Sequence, residues 1–224
     1  PGRELDVHEY RICKACGRFE SERQLVDEPC CTACGGDFRK GSNKILVPEY
    51  GFVSDAKTDA VGSTPPERRW NGSTHVLNLG DKIYTQTWST PSGIEVTARA
   101  GTRATMVAVS EGLGQGYFVC DWCGWATPKD GKTTSRKHDR PLTGQPCGKG
   151  NLGLFSLAHR YETDIAEIVL HGSGHHRQGD KARWSLLYAL LEGASERLEI
   201  SRDDIDGSLS WTDTGQRTFA IFDT

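Results

Sequence analysis

Cys13-Lys14-Ala15-Cys16-Gly17 and Cys31-Thr32-Ala33-Cys34-Gly35, with fourteen residues between Cys16 and Cys31, decide how the start of this chain folds. Two Cys-x-x-Cys pairs at that spacing predict a zinc ribbon, in which two knuckles at hairpin tips present four thiolates tetrahedrally. The glycine after each pair suits a knuckle turn of positive φ, which lets backbone N–H groups face the sulfurs. Cys30 competes with Cys31 for the third position, but only Cys31 keeps the two-residue gap to Cys34. Cys30 is therefore read as a free thiol or one packed behind a ligand. An iron–sulfur cluster is the alternative occupant of the four-thiolate set, and unligated buried thiols are the plain alternative.

A second set lies downstream. Cys120-x2-Cys123 is followed after fourteen residues by His138 and after eight more by Cys147. Three cysteines leave a zinc shell open, and the imidazole of His138 closes it, which predicts a second structural ion. A water in the fourth position would instead give a site able to activate that water. No Glu stands in a His-x-Glu or His-Glu-x-x-His arrangement to act as its general base.

The rest of the composition agrees with metal rather than disulfide use. The chain has 224 residues and eight cysteines, with no apolar signal segment, so paired cysteines point to a soluble, cytoplasmic metal-binding protein. No run of about 18 apolar residues is present, which excludes a membrane-spanning helix. With 27 Lys and Arg against 30 Asp and Glu, the net charge is −3, so any nucleic-acid contact must use a local patch. The chain starts at Pro1, and residues 219–224 break off in a strand-like stretch, which suggests a fragment.

Outward from the ribbon, residues 10–40 carry few large apolar groups and need the metal to fold. Residues 45–53 suit short strands, and residues 54–73, with Pro65 and Pro66, read as a linker or long loop. Alternating β-branched and aromatic residues from His75 to Ser110 predict strands of an antiparallel sheet. Gly112, Gly114 and Gly116 predict a turn into a strand at Tyr117-Phe118-Val119, and residues 154–170 predict a strand in mid-sheet. From Asp180 to Leu198, Trp184, Leu187, Tyr188, Leu191, Ala194 and Leu198 fall at helical spacing. Asp180 can cap that helix, and Leu186 and Leu190 widen its apolar face, so it is expected to be largely buried. A closing hairpin around Asp213-Thr214-Gly215 follows. The fold class is α+β: an N-terminal zinc ribbon, a mostly antiparallel sheet, a buried C-terminal helix and a second zinc knuckle.

Several patterns invite functional readings and mostly fail them. Gly131-Lys132-Thr133 resembles the end of a phosphate-binding loop, but Ala126 stands where the earlier glycine is required, so a solvated loop is preferred. His171, His175 and His176, separated by glycines, read as an exposed loop. Strand alternation puts His159 and Tyr161 on one face, giving His159 a structural role. Lys129, Lys132, Arg136, Lys137 and Arg140 form a basic loop, and Arg68, Arg69 and Trp70 a second patch that adds stacking. The plain reading is a solvated charged loop; the sharper one is phosphate contact.

Residues 111–123 with their Cys-x-x-Cys-Gly knuckle, then His138, Cys147 and Ala158-His159-Arg160-Tyr161-Glu162-Thr163-Asp164, resemble the MrfA-type zinc-binding domain. So does residues 184–194, leading to Ile200 and Asp204-Ile205-Asp206-Gly207. The resemblance covers residues 105–224, and residues 10–53 look like the segment preceding the domain in long helicases of the group. Two departures stand out: the family has Gly-His-x-Phe where this chain has Ala158-His159-Arg160-Tyr161, and it continues beyond Phe222-Asp223 into a glycine-rich turn. That domain usually ends DEAD/DEAH-box superfamily 2 helicases linked to DNA repair, and it occurs in the accessory subunit of the DISARM phage-defence system. The resemblance implies DNA and helicase motor domains, in cis or in trans, as partners, and no catalysis in this chain.

The expected layout is a zinc ribbon and connecting strand over 1–53, linker and strands over 54–104, and the zinc-binding domain over 105–224. Two zinc ions and an accessory, DNA-guiding role are expected. The alternatives are a protein-interaction scaffold in a phage-defence complex and a zinc hydrolase or nuclease.

Overall fold

The computed structural model describes residues 5–21, 28–40, 43–48, 72–112, 114–129, 137–172, 180–212 and 214–224. The strands in chain order are β1 (Val7–Ile12), β2 (Phe19–Ser21), β3 (Lys44–Leu46), β4 (Gly72–Asn78), β5 (Lys82–Ser89) and β6 (Glu95–Ser110). There follow β7 (Tyr117–Cys120), β8 (Ala126–Pro128), β9 (Leu152–His171), helix α1 (Asp180–Leu198), a 3-10 turn (Arg202–Asp204), β10 (Ile205–Trp211) and β11 (Arg217–Asp223). The α+β class is thus as the sequence indicates.

The twenty-residue β9 is the spine. Ser156, Leu157 and Ala158 are buried in succession near its start, and Ile165, Glu167 and Val169 are buried at alternate positions near its end. The antiparallel β6 runs beside it from Glu95↔His171 to Ser110↔Leu157, and β7 continues the pairing to Cys120↔Leu152. The strand β11 pairs with residues 165–168 of β9, and β10 closes the hairpin that the sequence predicts. One pair is parallel: Ile45 and Leu46 of β3 lie beside Ser156 and Leu157. Through β3, β1 and β2 join the same sheet.

That linkage changes the picture of the N-terminal ribbon. Tyr10, Ile12 and Phe19 form one apolar cluster with Ile45, Val107, Val109 and Ala158, so the ribbon shares a core with the main sheet. The Tyr10 hydroxyl lies 2.6 Å from Ser156 Oγ, and burial pushes its pKa up to about 12. Glu20, at 1% exposure, is held by Arg11 at 2.6 Å and Arg18 at 3.5 Å. A buried carboxylate so enclosed costs about 3–5 kcal/mol when its partner is removed.

Helix α1 has the predicted bounds, but it buries a narrower face than expected. Arg183, Leu187 and Leu191 are buried, whereas Trp184, Tyr188 and Leu198 are exposed. The buried stripe sits on Ile205 and Phe219. A Cβ on Gly207 would come within 2.8 Å of Leu187 Cδ1, so the glycine sets how closely the helix can approach β10. His171 is a correction: it ends β9 and bonds Thr97 Oγ1 at 2.9 Å, rather than belonging to an exposed loop. His159 and Tyr161 stack on one face, centroids 5.7 Å apart, as alternation requires. Gly72 and Ser73, read as linker, open β4. The remainder of that linker, the Gly131-Lys132-Thr133 triplet, His175, His176, Asp213 and the side chain of Asp180 lie outside the described residues.

Candidate metal centres

Three of the cysteine segments adopt one local fold. Cys13 N–H bonds the Arg18 carbonyl, Cys31 N–H that of Gly36 and Cys120 N–H that of Trp125, at 2.8–2.9 Å. In each case the glycine after the second cysteine returns its N–H to the first cysteine's carbonyl: Gly17 to Cys13, Gly35 to Cys31 and Gly124 to Cys120. Those glycines have φ of 72–73°, the left-handed turn that side-chain-bearing residues avoid. The sequence placed two of these knuckles correctly through Gly17 and Gly35.

The first centre brings together Cys13, Cys16, Cys31 and Cys34, and the second Cys120, Cys123, His138 and Cys147. Within each, the ligand atoms all lie within 4.8 Å of one another. Cys13 and Cys34 sulfurs are 3.5 Å apart, and Cys16 and Cys31 sulfurs 3.7 Å. A tetrahedral ion with metal–sulfur bonds of about 2.3 Å separates sulfurs by about 3.8 Å, so the donor set fits a divalent metal. Cys30 is exposed and lies outside the group of four, in which Cys31 takes the third position.

In the second centre Cys123 Sγ lies 3.2 Å from His138 Nε2, and Cys120 Sγ 4.0 Å from Cys147 Sγ. Its C-terminal half repeats the knuckle's hydrogen-bond pattern with Arg140 in the first cysteine's place: Gly144, at φ 64°, returns its N–H to the Arg140 carbonyl at 2.9 Å. Cys147 N–H bonds the His138 carbonyl, and Arg140 N–H that of Gln145, both at 2.9 Å. The His138 ring stacks on Trp125 with centroids 4.6 Å apart, which fixes its plane. The sequence offered no signal for this stack beyond the position of Trp125 after the knuckle. A Cβ on Gly150 would meet Cys120 Sγ at 2.7 Å, and one on Gly36 would meet the sulfurs of Cys13 and Cys34 at 3.3 Å. Both centres are therefore walled by backbone.

Electrostatics divide the thiols. Burial opposes ionisation of Cys13, but the backbone amides of Cys16 and Ala15 and the neighbouring thiols outweigh it, and its pKa falls. Cys16 and Cys34 are pushed up, first by burial. The second centre repeats this. Cys123 rises to about 11, chiefly through burial. Cys147 falls despite burial, through the Lys149 amide, the neighbouring thiols and the charge of Arg140. One thiolate hinders the next, and a bound dication removes that opposition.

Of the basic residues singled out by sequence, Lys137 is exposed beside the second centre, and Arg140 faces Cys147. Arg68, Arg69, Trp70, Lys132 and Arg136 lie outside the described residues. No described helix is long and apolar enough to cross a membrane.

No family model matches the chain, and no curated protein matches it in sequence. Among solved structures it is similar to the DUF1998 helicase MrfA, whose crystal structure was determined bound to DNA, at 15% identity and a TM-score of 0.32. The match covers 68% of this chain and 16% of that one, and at such a TM-score it carries no argument about function.

Proposed function

We propose that this chain is a zinc-binding accessory domain of a DEAD/DEAH-box ATP-dependent DNA helicase serving DNA repair or phage defence, and that it is itself non-catalytic. The observation that carries the structural role is that each centre offers four mutually adjacent donors, enough to close a tetrahedral shell. The helicase assignment draws on the sequence resemblance over residues 105–224. The residues that hold zinc are Cys13, Cys16, Cys31 and Cys34 in one centre and Cys120, Cys123, His138 and Cys147 in the other. Bound zinc neutralises the clustered thiolates and fixes the loops that carry them. The chain's own residues do the remainder: Trp125 holds the His138 plane, the knuckle amides support the sulfurs, and Arg140 offsets charge at Cys147.

In this reading residues 1–53 form the ribbon and its connecting strand, 54–104 the linker and sheet strands, and 105–224 the accessory domain. Lys137 and Arg140, with Lys132, Arg136 and the Arg68-Arg69-Trp70 patch, touch DNA backbone beside the motor. A reducing cytoplasm keeps the thiols available.

Elemental analysis is expected to give two zinc ions per chain, and one ion would remove one centre. Co-purification with the motor domains, and duplex affinity that falls steeply with salt, test the helicase and DNA parts separately. Salt-indifferent binding would remove the DNA contact, and failure to associate with the motor would remove the helicase assignment.

A further inference from the structure

A cleft of about 500 Å³ lies between the first knuckle, the start of β4, helix α1 and β10. On its helical wall are Trp184 and Tyr188, 43% and 58% exposed, with ring centroids 6.4 Å apart. Elsewhere in the lining, Trp211 donates its indole N–H to the Cys16 carbonyl at 3.3 Å, and the Arg217 guanidinium lies over the indole 5.0 Å from its centroid. The lining includes four cationic side chains, Lys14, Arg39, Arg183 and Arg217, against a single carboxylate, Asp206, among the described residues. Arg39 also pairs with Glu111, which is not among the residues lining the cleft. The Ser208 hydroxyl, on a residue only 6% exposed, faces this lining with no hydrogen-bond partner among the described residues.

We propose that this cleft binds an unpaired nucleic-acid strand, with bases stacked on Trp184 and Tyr188 and phosphates met by the surrounding cations. Two aromatic rings left open beside basic groups match the two parts of a nucleotide, a π-face and an anion. The volume lies within the range of small-ligand sites, enough for a nucleotide or two. In a duplex the base faces are covered by their neighbours and cannot reach the rings. An acidic peptide would use the cations and leave the rings idle. With a net charge of −3 on the whole chain, a cation surplus at this one place is a local feature. The Trp211 bond to Cys16 ties this part of the lining to the first metal centre, so the cleft keeps its shape only while that knuckle is held. Neither Lys137 nor Arg140 is among the residues lining the cleft, and the proposal does not depend on the helicase assignment.

The test is fluorescence anisotropy with the zinc-loaded full chain, using oligothymidylate, oligouridylate and a duplex of equal length at low salt. Tighter binding of the single strands is expected, and the two homopolymers show whether DNA or RNA is preferred. A Trp184→Ala/Tyr188→Ala double variant is expected to weaken single-strand binding about tenfold or more, with circular dichroism and zinc content unchanged because both rings are exposed. Lys137→Glu is expected to weaken duplex and single strand alike and to leave the single-strand preference in place. A double variant that binds like the parent, or a parent that prefers duplex, overturns the cleft proposal. If the preference disappears with Lys137 rather than with the rings, the cleft is likewise overturned, while phosphate contact by the basic loop stands.

Discussion

The two candidate metal centres use nearly the same chemistry but are built into the molecule differently. The first sits between β1 and the far end of β10. Its knuckles flank β1, which shares a core with β3, β6 and β9, and Trp211 reaches its Cys16 carbonyl across 195 residues. The second caps the β7–β8 hairpin at the end of the spine, among exposed residues such as Trp122 and Leu142. A metal's contribution to stability therefore depends on what its loops hold in place as well as on its ligands. The first centre is expected to support the fold as a whole and the second only its own end of the sheet.

The largest effect that could break this comparison is the loss of a ligand from each centre. Cys31→Ser is expected to remove one zinc and lower the melting temperature of the whole chain, at a cost of several kcal/mol. His138→Ala is expected to remove the other zinc, raise amide exchange in β7, β8 and residues 138–147, and leave the main transition nearly in place. Equal losses of melting temperature in the two variants would end the distinction.

The helix sharpens it. Leu187 is 1% exposed against β10 and Trp184 is 43% exposed, so Leu187→Ala is expected to cost about 3 kcal/mol in urea unfolding, several times the cost of Trp184→Ala. Similar costs would show that the helix packs on a different face.

Near the first centre, buried His75 stacks on Phe19 at 4.4 Å and bonds Ser73 Oγ at 2.7 Å. Burial first, and the charge of Arg39 second, push its pKa down from 6.5 to about 3. The unfolded chain then takes up a proton that the native chain refuses. This contribution to stability is present above pH 6.5 and is lost as pH falls toward about 3. It amounts to about 2 kcal/mol between pH 7 and pH 5. His75→Phe keeps the stack and is expected to lose correspondingly less stability over that interval, and parallel pH profiles would rule the mechanism out.

The smallest effect belongs to Cys30→Ser. Its side chain is exposed and lies outside the cluster, so zinc content should not change and stability should stay within about 0.5 kcal/mol. A lost zinc would reopen the choice between Cys30 and Cys31.

That each set of four donors comes together was legible because knuckle chemistry is local. Cys-x-x-Cys-Gly carries its own turn, and the Cys31–Cys34 gap was enough to set Cys30 aside. His138 could be chosen because three cysteines leave one vacancy in a tetrahedral shell. The β10–β11 hairpin and the bounds of α1 were legible for the same reason, since turn residues and a 3.6-residue period need no distant partner. The exposure of Trp184 and Tyr188 was not legible. Their spacing is that of a buried face, and only the narrow contact with Ile205 and Phe219 leaves them outside.

The sequence by itself therefore indicated the candidate donor sets, and it determined the knuckle turns at Gly17 and Gly35, the bounds of α1 and the closing hairpin, features that rest on contacts a few residues long. The tertiary structure alone decided that β3 lies parallel to β9, that the ribbon shares the main core, and that Trp211 meets Cys16 to form the cleft. Those features pair residues more than a hundred positions apart, and local pattern does not specify which distant surfaces will bury one another.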